Sequence, residues 1–113
     1  MVENFGITVA LRGEVPVVAV SGEIDVATAP ALRDRLHELL AEGHATIVVD
    51  LLGVTFLDST ALGVLVGTVK RCREAGGDLL LVLVEPRLQK IFKITGLDGV
   101  FSIAASVEGA LAA

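Results

Sequence analysis

Alternating apolar positions begin the chain and predict two paired strands. Apolar side chains recur at every second position over 5–11, as in a strand with one covered face. A short connection at 12–14 contains a glycine, and a second apolar run follows over 15–20. Such a link favours an antiparallel hairpin. Pro16 lacks a backbone N–H donor, which suits a strand start or an edge.

Helical spacing then alternates with short apolar runs. The leucines at 32, 36, 39 and 40 share one helical face after Asp25 or Thr28, either of which can cap the helix. The same spacing predicts helices over 59–74 and from Pro86 to Gly96, and Ser106 is placed to cap a terminal helix.

Two runs between these helices, at 46–52 and 79–84, predict buried strands, and the run at 100–104 predicts a last short strand. The predicted order is β-β-α-β-α-β-α-β-α. Buried strands that alternate with helices indicate an α/β fold, with a mixed, mostly parallel sheet and helices packed on it. The length of 113 residues predicts one domain, 1–113.

Charge and composition exclude several functions. Nine basic and 14 acidic side chains give a net charge of −5, and there is no Trp or Tyr, so we expect no nucleic-acid partner. A single cysteine excludes an internal disulfide and a multi-cysteine zinc site.

The mean hydropathy of +0.75 raises the question of a membrane. The longest uncharged stretch, 59–69, is 11 residues long. A spanning helix needs about 20. The first residues alternate and carry acids, unlike a signal peptide. We therefore expect no membrane contact and a cytoplasmic location.

The segment 56–63 joins a buried strand to a helix and is the first candidate site. Asp58 is a suitable N-cap, which places Ser59 and Thr60 in the first helical turn. The free N–H groups and the helix dipole at that point would favour a phosphate on a hydroxyl. Ordinary capping also explains these residue types.

The segment 22–25 also ends a strand before a helix. If the two strands are neighbours in a parallel sheet, this loop and the turn at Asp58 lie side by side at the edge where sites collect. Asp25 would then cap its helix or face a partner.

Enzymatic signatures are missing from the sequence. It has no dinucleotide fingerprint, no phosphate-binding loop of the nucleotide hydrolases and no nucleophile elbow. Ser59 as a nucleophile would need a base, and His37 and His44 are expected at the opposite edge of the sheet. We expect a packed, unreactive thiol at Cys72. The chain is therefore expected not to be an enzyme.

Two blocks of the sequence carry a family resemblance. The segment 48–65, VVDLLGVTFLDSTALGVL, closely resembles the hallmark segment of bacterial anti-sigma factor antagonists, the single-domain members of the STAS family. The segment 20–25, VSGEID, followed by Ala29-Pro30, resembles a second block of the same family. One departure is Ala61, where many members have glycine. Alanine is favourable inside a helix, so no loss of function is expected.

The resemblance implies a partner switch. Such proteins, when unphosphorylated, bind an anti-sigma factor that is also a serine kinase, and a sigma factor is released. The kinase uses ATP to phosphorylate the serine, which ends binding, and a metal-dependent serine phosphatase restores it. Carried onto this sequence, the acceptor is Ser59, and Asp25, Asp58 and Thr60 join it in the contact surface.

No cofactor is implied for the chain itself, and we expect a monomer or weak dimer. The alternative function is a non-phosphorylated STAS scaffold, or a regulatory or ligand-binding module in a stress-signalling complex, where Ser59 would be only part of a cap.

Overall fold

The computed structural model describes residues 5–112, in which five strands and four helices follow the predicted order. A short 3-10 turn, Leu97–Gly99, precedes the last strand. The strands are β1 (Gly6–Arg12), β2 (Val15–Ile24), β3 (Ile47–Leu57), β4 (Leu79–Val82) and β5 (Ser102–Ala104). The helices are α1 (Ala29–Ala41), α2 (Ser59–Glu74), α3 (Pro86–Ile94) and α4 (Val107–Ala112).

The sheet has the strand order β1-β2-β3-β4-β5. The hairpin β1–β2 is antiparallel, and every other neighbouring pair is parallel. This confirms the mixed, mostly parallel sheet. Because β2 and β3 are parallel neighbours, their carboxyl ends lie together at one edge.

Two apolar clusters lie on the two faces of the sheet. Residues of α1, α2 and α3 pack with alternate strand positions such as Val18 and Val49, and we call this side the inner face. The intervening positions, such as Val17 and Val48, pack with Ala110 of α4 on the outer face. Successive strand side chains point to opposite faces, which explains the division. α4 has only six residues, so it covers only part of the outer face.

Several predicted strand ends were wrong. β2 and β3 continue to Ile24 and Leu57 instead of ending at 20 and 52, because they stay paired through two register shifts. These irregularities break the simple alternation that the prediction used. β4 stops at Val82 instead of Val84, and a turn residue and a bend at 100 and 101 replace the first part of the strand predicted at 100–104.

The predicted bounds of the helices were more accurate than those of the strands. α2 spans the predicted 59–74, and α1 starts after Thr28. Gly43 has φ +101°, a left-handed conformation that ends α1 at low steric cost. The Ser106 hydroxyl accepts a hydrogen bond from the Gly109 N–H at 2.9 Å, which confirms the predicted terminal cap. Across residues 5–112, no helix combines the length and the apolar character that a membrane span requires.

Candidate functional site

The turn at the end of β3 presents two hydroxyls to solvent. Asp58 is extended, and its Oδ1 accepts a hydrogen bond from the Ala61 N–H at 3.0 Å, which confirms the predicted N-cap. Ser59 and Thr60 follow as the first two helical residues, and both are exposed. Within residues 5–112 their hydroxyls have no hydrogen-bond partner, nor do their N–H groups. An anion on Ser59 would therefore lie beside free donors at the positive end of α2.

A backbone hydrogen bond joins this turn to the end of β2. The Asp58 N–H donates to the Ile24 carbonyl at 3.2 Å, immediately after the last paired residues, Ile24 and Leu57. Asp25 follows Ile24 directly. The structure thus brings the segment at Asp25 and the turn at Asp58–Thr60 side by side, as the strand order predicts.

Asp25 is half-buried and engaged in its own turn. Its Oδ1 accepts hydrogen bonds from the Ala27 N–H at 2.9 Å and from the Thr28 N–H at 3.2 Å. The Thr28 hydroxyl accepts from the Asp25 N–H at 2.9 Å and donates to the Glu23 carbonyl at 2.8 Å. Thr28 is the N-cap residue of α1, as one of the two alternatives predicted, but its side chain makes no capping hydrogen bond to the helix. The Asp25 carboxylate instead accepts from N–H groups of the preceding loop, so the two side chains fix the loop before α1.

Two apolar side chains at this edge were missed by the sequence reasoning. Val26 is 71% exposed next to Asp25, and Phe56 is 46% exposed two residues before Asp58. Phe56 pairs with Glu23 across the β2–β3 ladder. The sequence did contain a signal for them, because an apolar residue lies within two positions of each candidate carboxylate. The edge therefore places exposed apolar side chains among acids and hydroxyls, and exposed aromatic residues such as Phe56 are enriched at protein-binding surfaces.

The histidines lie at the far end of the helices. His37 is close enough to Arg71, in the last turn of α2, for that guanidinium to contribute to its pKa. Twelve residues separate Ser59 from Arg71, or about 18 Å along a helix. His44 lines a hollow with Thr46 at the start of β3. Neither imidazole is placed to act as a base on Ser59.

Both histidines are half-buried rather than on the open surface. Burial, followed by the Arg71 and Arg33 charges, lowers the pKa of His37. Within the described part of the chain, no group of three or more His, Cys, Asp or Glu side chains could hold a metal ion.

Cys72 is fully buried in the inner-face core. Burial, with a smaller contribution from Asp78, raises the pKa of Cys72 to about 11. A disulfide reagent at pH 8 should leave the folded protein unmodified, because only about a thousandth of the thiol is ionised there. Unfolding in guanidinium should expose it and give one modified thiol per chain. Rapid labelling without denaturant would contradict the packing described.

The chain matches a known domain family over most of its length. The family model of the STAS domain matches residues 7–110, a range that contains Asp25, Asp58, Ser59 and Thr60. The chain belongs to the STAS domain family. The anti-sigma-B factor antagonist of Bacillus subtilis is 45% identical over 92 residues, which are 81% of this chain and 84% of that protein.

Solved structures agree with the family assignment. An anti-sigma factor antagonist from Mycobacterium paratuberculosis superposes with a TM-score of 0.89 at 33% identity, covering 96% of this chain and 92% of that one. The Bacillus cell fate determinant SpoIIAA in its phosphorylated form gives a TM-score of 0.73 at 23% identity, covering 96% and 97% of the two chains. At that identity the second likeness shows the fold alone.

The Asp58 cap offers a test of how this STAS turn is held. Asp58→Ala should lower the free energy of unfolding by about 1 kcal/mol, because the Ala61 N–H loses its acceptor. Asp58→Asn keeps a side-chain acceptor and should cost less. Urea unfolding of both variants measures the difference. Equal losses in the two variants would show that the carboxylate charge, and not the hydrogen bond, supports the turn.

Proposed function

We propose that this chain is an anti-sigma factor antagonist that works by binding and not by catalysis. In its unphosphorylated form it binds an anti-sigma factor that is also a serine kinase, and a sigma factor is freed in the bacterial cytoplasm. The contact surface comprises Asp25, Asp58, Ser59 and Thr60. The names of the relatives support the class, and the exposed Ser59 hydroxyl at the start of α2 is the observation that carries the mechanism.

Phosphorylation of Ser59 ends the binding. The Ser59 oxygen forms a bond to the γ-phosphorus of ATP, the bond from that phosphorus to ADP breaks, and the hydroxyl proton passes to a base of the kinase. The phosphoserine carries about −1.5 to −2 charges at pH 7. Within the chain, the free N–H groups of Ser59 and Thr60 can donate hydrogen bonds to the phosphate oxygens.

The same phosphate opposes docking. It stands beside the Asp58 carboxylate and near the loop that contains Asp25, in an interface that fits a neutral hydroxyl. Its bulk, its loss of hydration and the like charges all disfavour the complex. A metal-dependent serine phosphatase then restores the hydroxyl by hydrolysis.

The proposal is tested by mass spectrometry after incubation with ATP and a candidate anti-sigma factor kinase. Wild type and Thr60→Ala should each gain one phosphoryl group, and Ser59→Ala should gain none. Unmodified wild-type protein, with the kinase shown to be active on another substrate, would contradict the switch. The non-phosphorylated scaffold or ligand-binding module would then be the better interpretation.

A further inference from the structure

The strand β1 forms an open edge of the sheet. Its seven residues pair with β2 over an unbroken register from Gly6↔Ser21 to Arg12↔Val15. The backbone N–H and C=O groups on the side of β1 that faces away from β2 point outward. Within residues 5–112, the only other backbone hydrogen bonds lie outside β1, so this edge stays unpaired. It is a template for one more strand.

The devices that normally block such an edge are missing from β1. The strand sequence, GITVALR, has no proline and no charge before Arg12, and its register contains no bulge. The opposite edge, β5, has only three residues, which by itself limits pairing. The asymmetry singles out β1 as the edge at which association can occur.

The side chains of β1 are also incompletely covered. Ile7 and Val9 are half-buried on the inner face, and Leu11, predicted to lie on a covered face, is 60% exposed. On the outer face, Thr8 and Ala10 are small and exposed. A strand added beside β1 would cover the apolar inner positions and meet no bulky side chain on the outer face.

We propose that β1 pairs with β1 of a second copy of this chain, in antiparallel orientation about a two-fold axis at Val9. In this register Leu11 of each copy lies opposite Ile7 of the other, and Thr8 lies opposite Ala10. Arg12 lies opposite Gly6, so no like charges face each other. The strand is therefore complementary to itself, as a two-fold interface requires.

The pairing makes one ten-stranded sheet from the two five-stranded ones. The axis is perpendicular to the sheet, so the inner faces stay on the same side and the strands of the copies run in opposite directions. The two Ser59 turns then lie at opposite ends of the dimer, away from the shared edge. The dimer is independent of the proposed phosphorylation.

The test uses charges of opposite sign in two double variants. Thr8→Lys with Ala10→Lys places lysines opposite lysines in a homodimer, and Thr8→Glu with Ala10→Glu places glutamates opposite glutamates. An equimolar mixture of the two variants places lysine opposite glutamate. Gln89→Lys, an exposed change on α3, is the control for added charge. Sedimentation analysis and circular dichroism measure mass and folding for each sample.

Wild type and Gln89→Lys should approach twice the 11.7 kDa chain mass as concentration rises. Each double variant should stay at the chain mass while remaining folded, and the mixture should recover the dimer. Wild-type protein that is monomeric up to about 1 mM would overturn the proposal, as would double variants that still dimerise. Phosphorylation of the folded lysine variant by the kinase checks the Ser59 site separately.

Discussion

Phosphorylation of Ser59 is expected to weaken the binding of this chain to the anti-sigma factor kinase that we propose as its partner by about 100-fold to several thousand-fold. An uncompensated charge in an interface costs about 3–5 kcal/mol, which corresponds to that range. A switch from 99% bound to 99% free needs about 5.5 kcal/mol, so one phosphate supplies most of a complete switch.

Calorimetric titration of the kinase with the two purified forms measures this ratio. The melting temperature of the phosphorylated chain should stay close to that of the unmodified one, because the phosphate lies in solvent at the start of α2. Unphosphorylated Thr60→Ala is the control for a change in the same turn without added charge. Equal affinities for the two forms would exclude local repulsion as the mechanism.

A methyl group at Gly77 should destabilise the fold. A Cβ at this position would fall against the backbone carbonyl of Ala45 and close to the hydroxyl of Thr46. Both neighbours belong to the segment that leads into β3, and the Ile47 N–H donates to the Asp78 carbonyl at 3.0 Å. The backbone must therefore separate to admit Gly77→Ala, and we expect a loss of about 1–3 kcal/mol.

Gly67→Ala is the matched control in the same part of the chain. Gly67 lies inside α2, and apart from the adjacent backbone of its own helix, a Cβ there would meet no atom within 4 Å. Alanine should stabilise the helix by up to about 1 kcal/mol, since glycine is the weaker helix former. Chemical unfolding of the two variants should give shifts of opposite sign. An unchanged free energy of unfolding for Gly77→Ala would show that the Ala45 segment can move aside at little cost.

The order of the elements and the bounds of α2 could be predicted because their signals are local. The cap at Asp58 and the glycines after Glu74 define α2 without reference to the rest of the molecule. The placement of Asp25 beside Asp58 needed only the rule that parallel neighbours end at one edge.

The remaining features depend on tertiary contacts. The extensions of β2 and β3 require each strand as the partner of the other, across register shifts that no single sequence window shows. The exposure of Leu11, Val26 and Phe56 depends on where the helices end, so hydrophobicity alone predicted burial for Leu11 and gave no role to the other two. These exposed positions are where the fold leaves surface for other molecules.

The hydrogen bond from the Asp58 N–H to the Ile24 carbonyl extends the sheet ladder into the two turns of the proposed contact surface. Their relative position is fixed before any partner arrives, so little conformational entropy should be lost when a complex forms. A partner then meets a rigid template rather than a loop that must be ordered first. The Asp58 amide should accordingly exchange its hydrogen as slowly as the strand amides beside it, in the free protein as well as in the complex.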